Sequence, residues 1–182
     1  MNINNKNKKI YQIIMGVLVS LALVAPSASW AKGGSLRLAD SLSPFTYLSD
    51  LANQNKLDAD RAKRLDDYFE KRYMPLAGYG SKFVEVAEKC NLDWRLLPAI
   101  SVRESSGGKH LMNKNPFGWG SAKIKFYNFE DAIETVSDNL CGFNLATAKY
   151  YKDKTILQQL WYYNGTVMPS YPQEVLDIME MM

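Results

Sequence analysis

Ser101-Val102-Arg103-Glu104-Ser105-Ser106-Gly107-Gly108 is the stretch whose reading decides the fold. The stretch closes a helix that begins near Trp94 and has Leu96, Leu97, Ile100 and Val102 as its apolar positions. Asp93 stands where it can cap that helix, and Pro98 falls early in it, where a missing backbone donor costs least. Gly107-Gly108 stop it, because glycine enters the left-handed conformation without penalty. Glu104 therefore sits where an apolar helix runs into a turn. Burial strips hydration from a carboxylate placed there, and the negative end of the helix dipole disfavours the charge further. A carboxyl group kept protonated in this way can serve as a general acid. Spacing alone favours a surface glutamate paired with Arg103 or a neighbouring lysine over such an acid.

Working outward, the same helical period governs most of the chain. Ala62, Leu65, Phe69 and Tyr73 share one face of a helix starting at Asp58 or Asp60, which Pro75 ends. A short helix around Phe45 to Leu51 precedes it. Ser81 caps a helix carrying Phe83, Val84, Ala87 and Cys90. Asn128 caps another on Phe129, Ile133, Val136 and Leu140, with Glu130 and Asp131 in the first turn, where the dipole favours them. A further helix starts at Asp153 or Thr155 and breaks at Asn164-Gly165. Ser170 and Gln173 match a capping box for a last helix through Met179. Only Lys123 to Tyr127 alternates as a strand would, as half of a small hairpin. The expected class is mainly α.

The 182 residues suit one domain, with 47% hydrophobic and 23% charged residues. Residues 1–31 read as a secretory signal. Lys6, Lys8 and Lys9 precede an apolar run from Ile10 to Ala25, and Ser29-Trp30-Ala31 ends it with small residues where a signal peptidase reads. Without that segment, 22 Lys+Arg become 19 against 19 Asp+Glu, a neutral chain with no basic stripe for nucleic acid. The expected organisation is a signal over 1–31, a linker and N-terminal helical extension over 32–75, and the main domain over 76–182. The signal implies a secreted or periplasmic monomer that meets a membrane only if the signal stays uncleaved. Cys90 and Cys141 are an even pair in such a chain, which permits a disulfide or two buried thiols. One histidine, His110, and no Cys/His cluster give no metal site, and no cofactor is expected.

Asn115-Pro116-Phe117-Gly118-Trp119-Gly120 follows the glutamate turn closely. With Glu104-Ser105 it resembles the lysozyme-like superfamily, and most nearly its bacterial glucosaminidase family. Those enzymes carry a Glu-Ser pair at the end of a buried helix and an Asn-x-Phe-Gly element at the cleft wall, matched here by Asn115, Phe117 and Gly118. Tyr163-Asn164-Gly165 is similar to the Tyr-Asn-x-Gly element of lytic transglycosylases in the same superfamily. Pro169-Ser170-Tyr171 before a final helix is closer to the glucosaminidases. The likeness covers about residues 76–180.

The resemblance implies a lysozyme-like helical domain with at most a small β-hairpin. It also implies an endo-β-N-acetylglucosaminidase acting on the glycan strands of peptidoglycan, with a muramidase, a lytic transglycosylase or a non-catalytic wall-binding protein as rivals. Glu104 would be the general acid and Tyr163 a second catalytic group. Ser105, Asn115, Phe117, Trp119, Asn164 and Tyr171 would bind substrate. One departure stands out. Glycosidases normally use two carboxylates, and the family's candidate second acid lies between the Glu-Ser helix and the aromatic loop. Gly107 to Lys114 contains no acid. A single-acid route is therefore expected, with either the substrate's acetamido oxygen or its 6-hydroxyl as internal nucleophile.

Overall fold

The computed structural model of the chain describes residues 44–182, so the expected signal over 1–31 and residues 32–43 of the linker lie outside the described residues. Among the described residues the protein is mainly α. The helices are α1 (Pro44–Glu70), α2 (Gly80–Glu88), α3 (Leu96–Ser105), α4 (Phe129–Leu140), α5 (Ala148–Tyr151), α6 (Ile156–Leu160) and α7 (Tyr171–Glu180), with a π-helical turn, Trp161–Gly165, between the last two. No described helix is long and apolar enough to cross a membrane. Lys123 to Tyr127 forms no strand; the one pairing among the described residues is an isolated bridge between Met112 and Asn115.

Helix α1 joins the two helices expected separately. The intervening Ala52 to Leu57 contains no glycine or proline to break it, and the Gln54 side chain donates to Asp58 Oδ1 at 2.9 Å across one turn. Pro44 opens the helix, where its fixed φ fits. The N-terminal half is exposed, whereas Ala62, Leu65, Tyr68 and Phe69 enter the common core. The second half of α1 thus packs into the same core as residues beyond 75. The helix unwinds after Glu70, so Tyr73, expected on the apolar face, is 90% exposed with φ 53°.

Helix α3 lies deepest. Leu96, Leu97, Ala99, Ile100, Ser101 and Ser105 are all buried, as befits a helix covered on several sides. It packs on α7, α1 packs on α2, and α2 packs on α4. Phe69, Phe83 and Phe117 form a run of rings with centroids 5.9 and 6.4 Å apart, joining α1, α2 and the loop after α3. Cys90 and Cys141, at the ends of α2 and α4, are joined in a disulfide with Cα atoms 5.7 Å apart, within the usual range.

The caps differ in part from the spacing-based expectation. Asn128 accepts from the Asp131 N–H at 2.8 Å and Thr155 forms a full capping box with Gln158. Ser81 does not cap α2. Asp66 does so from α1, accepting from the N–H groups of Gly78 and Gly80, both at 2.8 Å. Ser170 makes no capping bond to the backbone and its hydroxyl donates to Glu174 instead, 2.7 Å away.

Candidate active site

The C-terminus of α3 places Glu104 at a cleft. Ser106 takes the left-handed conformation first (φ 54°), and Gly107 and Gly108 follow at 64° and 93°. This reversal sends the chain away from the helix axis and leaves the last turn of α3 facing open space. Ser105 points the other way and is buried. Its hydroxyl lies 2.8 Å from the Pro116 carbonyl and 3.0 Å from that of Ser101, and it accepts from the Gly108 N–H at 3.0 Å. Ser105 therefore fastens the helix end, the glycine turn and the aromatic loop together, and does not reach into the cleft.

Asn115 organises that loop from within. Its Oδ1 accepts from the N–H groups of Phe117 and Trp119, and its Nδ2 donates to the carbonyls of Trp119 and Ile124. Left-handed pairs bracket the loop, Asn113-Lys114 before it and Ser121-Ala122 after it. None of the four is a glycine, and such backbone is held only where the surroundings over-determine it. The result brings Gly118 against the acid. A β-carbon at residue 118 would lie 2.5 Å from Glu104 Oε2, and φ there is +62°. The left-handed backbone favours glycine at 118, and any side chain there would push the Glu104 carboxyl aside.

The cleft, about 490 Å³, is lined by Glu104, Gly118, Trp119, Gly120, Ser121, Tyr151, Tyr163 and Asn164. Trp119 touches Tyr163 and Tyr151 with ring centroids 5.5 and 6.0 Å away. Glu104 is the sole carboxyl group among the described lining residues. Burial raises its pKa above the ordinary carboxyl value, against smaller opposing effects of the Tyr171 hydroxyl and the Arg103 charge. The Arg103 guanidinium is already committed, since it donates to Glu174 and lies over the Tyr171 ring at 5.8 Å. The alternative surface pairing of Glu104 with Arg103 does not form.

Three expected contact residues occupy other places. Phe117 is fully buried against Phe83 and belongs to the core. Tyr171 is also fully buried and stacks on Tyr163 at 6.0 Å and 4° behind the cleft. Its hydroxyl is turned toward Glu104 and forms no bond of good geometry with any partner. Asn115, as described, shapes the wall from inside. Trp119 and Asn164 do line the cleft. Tyr163 lines it too, but its hydroxyl donates to the Phe117 carbonyl at 2.6 Å, so that proton holds the loop. Burial, then the nearby Glu104, raises its pKa well above the ordinary phenol value.

Tyr151, one of several tyrosines in the sequence whose ring could stack on a sugar, is also part of the wall. Its signal was weak, one tyrosine of the Tyr150-Tyr151 pair outside any motif. Glu130 and Asp131, the nearest acids downstream, both lie outside the cleft at the start of α4, where Asp131 accepts from the Tyr127 N–H at 2.9 Å. Comparison with known protein families, curated proteins and solved structures finds no match to this chain.

Proposed function

We propose that the protein is a glycoside hydrolase that cleaves β-1,4-linked N-acetylated glycan of peptidoglycan, as an endo-β-N-acetylglucosaminidase acting at the cell wall. The observation that carries this reading is the single carboxyl group, kept toward its protonated form by burial, in a cleft walled by Trp119, Tyr151 and Tyr163. The aromatic faces suit the C–H faces of pyranose rings, and their polar edges suit the hydroxyls. The resemblance at Glu104-Ser105 and Asn115-x-Phe117-Gly118 supports the same substrate class.

Glu104 hands its proton to the leaving glycosidic oxygen as the C1–O bond breaks. With no second carboxylate among the described lining residues, the acetamido oxygen of the substrate attacks C1 and forms an oxazolinium ion. The Glu104 carboxylate then takes a proton from the water that attacks C1, the bond from C1 to the acetamido oxygen breaks, and the acid is restored. Asn164, beside Tyr163, supplies an amide that can orient the acetamido group.

Glu104→Gln keeps the shape of the side chain and removes the proton. Release of fragments from purified cell walls should fall by at least roughly 10²-fold. Mass spectrometry of the fragments reads the reaction. A reducing N-acetylglucosamine end supports the glucosaminidase, and an anhydro-muramic end would assign the same acid to a lytic transglycosylase. Wild-type activity in a folded Gln variant would overturn the role of Glu104.

A further inference from the structure

The π-helical turn Trp161–Gly165 serves two sites. Thr166 N–H bonds back to the Trp161 carbonyl at 3.1 Å, so the side chains of the turn leave the α-helical register. Tyr163 and Asn164 line the Glu104 cleft. Trp161 and Tyr162 line a second groove of about 450 Å³ with Leu157, Pro172 and the amides of Gln158 and Gln173. Trp161 and Tyr162 are 44% and 43% exposed, and neither the indole N–H nor the Tyr162 hydroxyl has a partner among the described residues. No charged side chain among the described residues lines this groove.

An aromatic floor edged by the indole N–H, the Tyr162 hydroxyl, the Gln173 side-chain carbonyl and the Gln158 NH2, whose other amide atoms bond Asp177 and the Thr155 N–H, matches a neutral sugar, and offers no counter-charge to a phosphate or an acidic peptide. The groove is also tied to the cleft by rings in contact. Tyr162 meets Tyr150 at 5.5 Å, Tyr150 meets Tyr151 at 6.4 Å, and Tyr151 meets Trp119 at 6.0 Å. We propose that the Trp161–Tyr162 groove is a distal subsite for the same β-1,4-linked N-acetylhexosamine polymer, gripping it several sugars away from the bond that is cut. This rests on the glycosidase reading of the Glu104 cleft.

The probes are the trimer and hexamer of β-1,4-linked N-acetylglucosamine, with the full chain carrying Glu104→Gln to prevent turnover. The hexamer should bind about five- to ten-fold more tightly than the trimer, the worth of one or two ring contacts. It alone should shift the Trp161 indole N–H resonance. Trp161 also packs on Gly165 and Pro172, so the affinity test uses the milder Tyr162→Ala, which should remove the hexamer's advantage and leave trimer binding unchanged. If the advantage persists in Tyr162→Ala, or if trimer binds and hexamer adds nothing, the distal subsite is overturned and the cleft reading stands. If Trp161 responds to a proline-rich peptide and not to the hexamer, the groove is a peptide site and the proposal fails. If neither oligomer binds and the wild type releases nothing from cell walls, the cleft reading fails with it.

Discussion

Glu104 is a carboxyl group made weaker as an acid by its burial, and this links activity to pH and to stability. Its folded-state pKa lies above the unfolded value of about 4.3, so the native state binds the proton more tightly. The stabilisation is complete below the unfolded pKa and is lost as pH rises through the folded one. Glu104→Gln, neutral throughout, should therefore melt at a higher temperature than the wild type at pH 8 and converge with it near about pH 4. Equal melting temperatures at pH 8 would place the carboxylate in solvent. Gly118 can be tested separately. Gly118→Ala should cost about 1–2 kcal/mol from the left-handed backbone and lower wall cleavage by roughly 10²-fold, because the new methyl displaces the acid. Full activity at normal stability would mean that the contact has no bearing on catalysis.

At the scale of elements, the important connections are made across helices. Asp66 on α1 caps α2 through Gly78 and Gly80, so α2 begins correctly only once α1 is docked. Asp66→Ala should lower unfolding free energy by about 1–2 kcal/mol, the usual worth of a cap, measured in urea. Asp67→Ala, which loses only an exposed partner in Lys63, should change it little. A large loss at both positions would point to α1 propensity and away from the cap. Asn115 plays the corresponding part for the aromatic loop, where one amide satisfies four backbone groups.

For the whole molecule, the Cys90–Cys141 bridge closes a separation of 51 residues and joins the ends of α2 and α4. On the chain-entropy estimate it stabilises the fold by roughly 4 kcal/mol, less any strain. The Cys90→Ser, Cys141→Ser double variant should lose about that much. The oxidised, denatured wild type should show no free thiol, and two free thiols per chain would exclude the bridge. Wall cleavage by the folded double variant should persist, because neither cysteine lines the cleft.

Much of this was legible in the amino-acid order because it is local. Periodicity marks the buried faces of α2 and α4, a side-chain oxygen at Asn128 or Thr155 caps the turn that follows it, and glycines after Ser106 must end a helix. The position of Glu104 at that end followed from the same local chemistry. What the sequence could not determine depends on contacts between distant residues. The burial of Phe117 and Tyr171, the commitment of the Tyr163 hydroxyl to the Phe117 carbonyl, and the capping of α2 by Asp66 each need two segments to meet. An aromatic side chain has the same composition whether it faces a sugar or a phenylalanine. The left-handed Ala122 carries no local signal, since its strain is held by the loop around it. Helix identity and the acid's place belong to the sequence alone. Which side of each aromatic ring meets the core, and which faces the cleft, was decided only when α3, α7 and the 115–120 loop packed together, because burial is a property of the assembled surface.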